Sequence, residues 1–372
     1  MTDATRGAVP GGALLDLVGS PDPDTGADGH RAAAALRALA RREDLKAAVL
    51  RSPAAYAALR RAAARYVSGE TRGEALRTAE DLGRAGHRIT VDHMGEDTRD
   101  AGEARAAARE FRALVAALGP ADADAPLADA SVSLDLSHVG LAVPGDGPAL
   151  ATRHLAEIAA AAKASGRELM ISMEGSERTA TILDAHAVIS TDHPHVGVTL
   201  QAALHRTSTD LAAALDRPGR VRLVKGAYGE PSAVAHPRGE SLDAAYARLA
   251  VRLVAAAAEG HPVSIATHDP MLLTSVLRDV DARGGPGAVP GLEVEMLHGV
   301  RPDRLAAVAA RGVPTRVYLV YGHEWWLYLC HRLAENPPGL LAALADAVEA
   351  LPGTAGPVRD RMVAASARPG RA

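Results

Sequence analysis

Eight short β-branched runs, each followed by an alanine-rich amphipathic stretch, set the narrowest limit on how this chain can fold. The runs are RITVDH (88–93), VSLDL (132–136), ELMISM (168–173), VGVTLQ (196–201), VRLVKG (221–226), PVSIAT (262–267), LEVEML (292–297) and RVYLV (316–320). Helical periodicity fills the intervals at 98–118, 148–165, 177–189, 207–216, 242–259, 270–283 and 302–311. Strands alternating with helices imply parallel strands joined by crossovers. A closed (β/α)8 barrel spends about 250 residues in this way, and the span from 87 to 335 supplies them. An open doubly wound sheet is the alternative, but no Gly-x-Gly-x-x-Gly follows any of the runs. The expected fold class is therefore α/β, a (β/α)8 TIM barrel.

Outside that span the texture differs. Residues 1–30 are rich in Gly, Pro and Asp and are expected to form a flexible leader. Residues 31–86 show helical periodicity throughout, which predicts an N-terminal arm of three or four helices. The barrel is expected over 87–351, with helices at 324–335 and 338–351 capping it, and a flexible tail over 352–372. Hydrophobic residues make up 48% but aromatics only 3%, so the core must be built from Ala, Val and Leu. The balance of 41 Lys and Arg against 45 Asp and Glu gives no basic stripe for nucleic acid. The lone cysteine, Cys330, rules out an internal disulfide framework and fits a reducing compartment. No basic and apolar signal-peptide pattern opens the chain, and no run of about 18 apolar residues occurs. A cytoplasmic protein without a membrane span is expected, with peripheral membrane contact left open.

In barrels of this kind the chemistry sits where strands end and loops begin. That rule selects Asp92 with Gly95–Glu96, Asp135 with Ser137–His138, Ser172 to Glu174, Gln201, Arg222 to Tyr228, Thr267 to Asp269, Glu295 to His298, and Tyr318. In VRLVKGAYGEP (221–231), Arg222 and Lys225 bracket a strand end, and Gly226–Ala227 allows close approach of a ligand to the backbone. Two cations there suit an anionic group, or a ring that gains charge on reduction. The bland alternative is a strand whose basic residues pair with acidic neighbours. Beyond the last run, Tyr328, His331, Arg332 and Glu335 stand at i, i+3, i+4 and i+7 and so share one helix face. Such a polar row is costly to bury unless something polar binds it. Trp325, Trp326 and Cys330 read as packing residues of the same helix. A metal-dependent hydrolase is disfavoured because no His-x-His follows the first strand.

These blocks resemble the proline dehydrogenase family, in order and at similar spacing, over about 87–340. VRLVKGAY matches the family's Arg-Leu-Val-Lys-Gly-Ala-Tyr segment without a gap, and TVDHMGED its first-strand Asp-x-x-Gly-Glu. TLQAALHRT is similar to the strand-four segment, IATHDP to the Thr-His of strand six, and LEVEMLHGV to strand seven, with Glu295 replacing the usual Gln. YLCHRLAE resembles the substrate-gripping Tyr-x-x-Arg-Arg-x-x-Glu, with His331 in place of the first arginine. The resemblance implies non-covalent FAD, bound through Met173, Gln201, Arg222, Lys225, Gly226, Ala227, Thr267 and His268. It implies removal of a hydride from a carbon next to nitrogen, with Arg222 and Lys225 stabilising reduced flavin. Asp135 and Ser172 occupy catalytic positions, and Tyr228, Tyr318, Tyr328, His331, Arg332, Leu297 and Glu96 are implied substrate contacts. The electron acceptor (quinone, oxygen or another) stays open.

Three departures cluster at the implied carboxylate pocket: Asp135 stands where the family has lysine, Ser172 where it has aspartate, and His331 where it has arginine. Charge-assisted contacts to a buried carboxylate contribute roughly 1.5 to 3 kcal/mol each. Losing two weakens binding of a substrate carboxylate by one to several orders of magnitude, on that rough scale. The expected substrate is thus a small amine or imino acid that differs from L-proline. Oxidation of L-proline itself, hydrazine N–N dehydrogenation, and flavin binding without catalysis remain alternatives.

Overall fold

The structure, a computed structural model, describes residues 35–36 and 42–335 except Ala123. The expected leader, the tail and the helix at 338–351 lie outside the described residues. Two compact units divide the chain, one spanning Tyr66–Glu324 and the other holding the described residues of 24–65 together with Trp325–Glu335.

The larger unit is the expected closed barrel of eight parallel strands. The strands are β1 (Arg88–His93), β2 (Ser131–Leu134), β3 (Leu169–Ile171), β4 (Val196–Gln201), β5 (Val221–Val224), β6 (Val263–Ala266), β7 (Leu292–Leu297) and β8 (Thr315–Tyr321). Each pairs in parallel with the next, and β8 closes on β1 from Arg88↔Arg316 to His93↔Tyr321. The smaller unit contributes α1 (Glu43–Arg51) and α2 (Pro53–Ala63) at its N-terminal end. The barrel unit opens with α3 (Arg72–Arg84), fixed by a capping box between Thr71 and Glu74. Its crossovers are α4 (Ala101–Leu118), α5 (Gly147–Ala164), α6 (Thr179–Asp192), α7 (Thr207–Leu215), α8 (Glu240–Ala258), α9 (Pro270–Ala282) and α10 (Pro302–Ala310). Asp100 and Asp269 cap α4 and α9 with their carboxylates, satisfying backbone N–H groups that the first turn leaves open. In the smaller unit α11 (Trp325–Glu335) sets Trp325 edge-on to Tyr56 of α2, with ring centroids 5.6 Å apart. Among the described residues no helix is long and apolar enough to cross a membrane.

The strands carry an apolar outer face and a polar inner one. Ile89, Val91, Val221, Leu223, Leu292, Val294, Val317 and Leu319 belong to the continuous apolar core beneath the helices. Their alternate neighbours Thr90, Asp92, Arg222, Glu293, Glu295, Arg316 and Tyr318 face the lumen, because side chains along a strand alternate faces. A hydrogen bond of 3.2 Å from Arg222 on β5 to Ser133 on β2 crosses the barrel, which only inward side chains can do. At the base Glu293 is fully buried and accepts from Arg316 Nε at 2.6 Å, Arg88 Nη1 at 3.1 Å and the Ser264 hydroxyl at 2.5 Å, with Arg220 Nη1 as a further ion-pair partner at 3.1 Å. The Arg316 and Arg220 charges hold its carboxyl well below the usual range against the cost of burial. Arg316 also donates to the Ile89 and Asp129 carbonyls and to Ser131 Oγ. A single acid thus ties β1, β5, β6, β7 and β8 together.

Removing one partner of a buried ion pair leaves an uncompensated charge, at a cost of about 3–5 kcal/mol. Glu293→Gln is therefore expected to lower the unfolding free energy read from urea titration by about 3–5 kcal/mol, and the midpoint with it, without changing where the lumen chemistry sits. An unaltered midpoint would show that Arg316 and Arg220 are satisfied elsewhere.

Candidate active site

One layer above Glu293, toward the C-terminal strand ends, lies a second polar network. Arg222 Nε donates to Glu295 Oε2 at 2.7 Å, with the two side chains only 4% and 2% exposed. Arg222 Nη1 reaches Ser133 Oγ at 3.2 Å and Thr199 Oγ1 at 3.4 Å, and the guanidinium carbon stands 5.0 Å from the centre of the Tyr318 ring. Tyr318 donates its hydroxyl to Asp92 at 2.5 Å. Ser133 in turn meets Ser172 at 3.1 Å, and the Ser172 hydroxyl lies against the Asp135 carboxyl. Asp92, Ser133, Asp135 and Ser172 thus come together on β1, β2, β3 and the turns that follow them.

A clasp of loops surrounds this layer. Glu174 accepts from the Ser137 backbone N–H at 2.8 Å and from Arg178 at 2.5 Å, and Arg178 also pairs with Asp97. The Ser137 hydroxyl accepts from the Asp97 N–H at 3.1 Å. Glu174 is almost fully buried and carries the carbonyl that receives Gln201 Nε2 at 2.7 Å. The loops after β1, β2, β3 and β4 are joined in this way. Arg178 and Asp97 were not foreseen from sequence, although the i,i+4 spacing of Glu174 and Arg178 was legible there.

The electrostatics of the mouth are acidic. Burial pushes the Asp92 carboxyl up to about 7, opposed by the Tyr318 hydroxyl and the Arg222 charge. Burial raises Asp135 well above the usual range as well, reinforced by Asp92, Glu174 and Glu96 and opposed by Ser172. Glu96, at the rim, is raised by desolvation and by Asp97 and Glu174. The Tyr228 hydroxyl is raised by desolvation and then by Asp135, Glu96 and Glu174, which places it beside the same acids even though its ring is exposed. Glu174, Glu293 and Glu295 each have an arginine, at 2.5, 2.6 and 2.7 Å. Asp92 and Asp135 have none: in the barrel unit no described Lys or Arg nitrogen forms an ion pair with either.

Other expected site residues take quieter places. Lys225 Nζ sits between Asp243 at 2.6 Å and Asp269 at 2.9 Å, so its charge is already matched. Thr267 Oγ1 accepts from the Asp269 N–H at 3.1 Å, and His268 Nε2 accepts from the Leu297 N–H at 3.3 Å, tying β6 to β7. Met173 is buried, Leu297 half-buried and Ala227 exposed. Tyr328 and Arg332 lie on α11 of the smaller unit, with the Arg332 guanidinium 5.0 Å from the centre of the Tyr328 ring. The side chains of His331 and Glu335 lie outside the described residues. Among those residues no group of three or more His, Cys, Asp or Glu is placed to hold a metal ion.

Three buried polar atoms in this layer have no protein partner: Gln201 Oε1, Arg222 Nη2 and Glu295 Oε1. Buried polar groups normally find partners, so these atoms mark where a ligand completes the site. Beside them Gly226 holds φ +109°, and a Cβ there would come within 2.7 Å of Gln201 Oε1. A flavin fits this set, since its ring offers an imide N–H to an acceptor such as Gln201 and carbonyl or nitrogen acceptors to a guanidinium.

A parallel barrel with a polar lumen, whose strand-end residues leave donors and acceptors for a ring of this kind, defines a flavin-dependent barrel oxidoreductase. The family described as proline dehydrogenase matches residues 75–338, and the chain belongs to it. It is an FAD-dependent oxidoreductase of the class acting on CH–NH donors. The proline dehydrogenase of Deinococcus radiodurans is 34% identical over 278 residues, covering 74% of this chain and 86% of that protein. Proline dehydrogenase 1 of Bacillus subtilis strain 168 is 31% identical over 275 residues, covering 74% and 87%. Among solved structures, proline utilization A from Bdellovibrio bacteriovorus inactivated by N-propargylglycine superposes with a TM-score of 0.65 at 20% identity. It covers 78% of this chain, which spans only 35% of that longer protein, and the likeness is one of fold.

Because both lumen aspartates have folded values above their unfolded ones, the stability they confer is present at acid pH. It is lost as pH rises from the ordinary aspartate range through their folded values, about 7 for Asp92. Asp135→Asn is expected to flatten that loss and to raise Tm above neutrality by about 2–4 °C, corresponding to about 1 kcal/mol. Thermal scans across pH check this, and a lower Tm at every pH would contradict it.

Proposed function

We propose that this FAD-dependent dehydrogenase oxidises the C–N bond of an amine that carries no carboxylate where that of L-proline would be held. The observation that carries the reading is the pair of lumen carboxyls, Asp92 and Asp135, without a basic partner in the barrel unit, while Glu174, Glu293 and Glu295 each have an arginine. An ammonium entering such a mouth supplies the missing charge. A carboxylate entering it meets two acids and finds Arg222 already matched by Glu295.

FAD, when bound, accepts the hydride and its two electrons. Gln201, Arg222, Gly226, Ala227 and Met173 are the residues proposed to hold it, with Lys225, Thr267 and His268 supporting them through the strand ends that they brace. The remaining work of the protein is to position the amine and exclude water. Tyr318 is held in place by Asp92 and by the Arg222 guanidinium over its ring, and Tyr228 stands beside the acids on the loop after β5. Tyr328, His331 and Arg332 are proposed as further substrate contacts on the resemblance of YLCHRLAE to the family's helix alone. A second reading, oxidation of L-proline, is supported by relatives of 31–34% identity that are named proline dehydrogenases and by retention of Tyr228, Tyr318, Tyr328 and Arg332.

Anaerobic, FAD-loaded protein mixed with pyrrolidine or with L-proline separates the two readings. Bleaching of the flavin by pyrrolidine at lower concentration than by L-proline is expected, and the reverse order would establish the second reading. The triple variant Asp135→Lys, Ser172→Asp, His331→Arg is expected to raise the L-proline response at least about tenfold, one such contact being worth about 1.5 kcal/mol or more. No gain would count against the charge argument.

A further inference from the structure

We infer that Asp92 is the proton acceptor of this site: its carboxylate takes the proton of the substrate ammonium before the neighbouring carbon gives up its hydride. The inference rests on the amine-oxidising reading above and deepens it. An ammonium nitrogen has no lone pair, so a C=N bond cannot form until a proton has left. The proton moves from R2NH2+ to an Asp92 oxygen, giving R2NH and Asp92–COOH. The freed lone pair then becomes the C=N π bond as hydride, with two electrons, passes from carbon to FAD, leaving an iminium ion.

Several features single out Asp92 among the acids of the lumen. Glu174, Glu293 and Glu295 are bound by arginine at 2.7 Å or less, which stabilises the carboxylate and makes it a poor base. Asp92 faces the lumen from β1 and receives only the Tyr318 phenol, on Oδ2, while Oδ1 has no hydrogen-bond partner among the described residues. The nearest basic group, Arg222, is turned to Glu295. Asp135 follows β2, whose residue Ser133 is in register with Asp92, so two inward carboxyls meet near the mouth. Two acids so placed cannot both ionise cheaply, and their environments set them apart. Asp135, raised further and facing Asp92, Glu96 and Glu174, keeps its proton. Asp92, with Tyr318 and Arg222 to favour the anion and Tyr321 on its outer side, carries the charge and titrates near neutrality. A base poised near the working pH contributes about 10²–10⁴-fold to rate.

The test uses the full-length, FAD-loaded protein and pyrrolidine, with the rate of anaerobic flavin reduction followed against pH. Wild type is expected to show an acid limb near neutrality. Asp92→Asn should lose that limb and about 10²–10⁴-fold in rate at pH 7, whereas Tyr318→Phe should keep the limb and move it upward. If Asp92 serves only to hold the Tyr318 ring, both variants will lose rate alike and keep the limb, and the inference falls. A second readout needs no turnover. In protein labelled with carboxyl-13C aspartate, one resonance absent from Asp92→Asn should titrate near neutrality and shift on adding pyrrolidine. Titration in the ordinary aspartate range would overturn the inference. Flavin that no amine bleaches, combined with a neutral titration and a pyrrolidine shift, would instead place the error in the reading of the reaction.

Discussion

The structure depends on a carboxylate, Glu293, buried at the base of the barrel and held by three arginines. Apolar side chains ordinarily fill the lumen of a parallel barrel. Here the lumen is polar, and polar groups out of water are tolerable only when fully partnered. Glu293 and Arg316 meet that requirement at the bottom and draw β1, β5, β6, β7 and β8 around one centre. The upper layer repeats the scheme with Arg222 and Glu295 but leaves it incomplete. Gln201, Arg222 and Glu295 each keep an unmatched atom, and Asp92 and Asp135 form no ion pair with a described Lys or Arg of the barrel unit. Stability is concentrated in the base, and unsatisfied chemistry at the mouth.

That division gives the departures from the family pattern their meaning. Exchange of lysine for Asp135 does more than delete a cation. It sets a second carboxyl beside Asp92, and each raises the cost of ionising the other. Glu295 acts in the same direction, because a guanidinium that could have met an anion is engaged at 2.7 Å by an acid. Ser172 contributes only a hydroxyl, which eases Asp135 without neutralising it. On the proposed reading, these positions make a pocket short of the positive charge that a substrate carboxylate would need.

The clasp built on Glu174 and Arg178 is the structural condition for this chemistry. By joining the loops after β1, β2 and β3, and by accepting Gln201 on the Glu174 carbonyl, it fixes the spacing of Asp92, Asp135 and Gln201. Gly95 belongs to the same arrangement, since a Cβ there would press within 2.3 Å of the His138 ring. Lys225 shows the opposite case. Asp243 and Asp269 enclose its charge, so it links α8 and α9 to the end of β5.

The fold was legible in the sequence because strand and helix periods are local properties. RITVDH, VGVTLQ and LEVEML correspond residue for residue to β1, β4 and β7, and eight such runs alternating with helices left little but a closed barrel. The strand-end rule likewise selects Asp92, Asp135, Gln201, Arg222, Glu295 and Tyr318 from sequence position alone. What the sequence could not supply was pairing. That Arg222 is matched by Glu295, 73 residues away, while Asp92 receives only a phenol 226 residues away, follows from barrel closure. Whether a buried charge is paired or left for a ligand is set by neighbours within a few ångströms in space, and those neighbours exist only once the eight strands have closed.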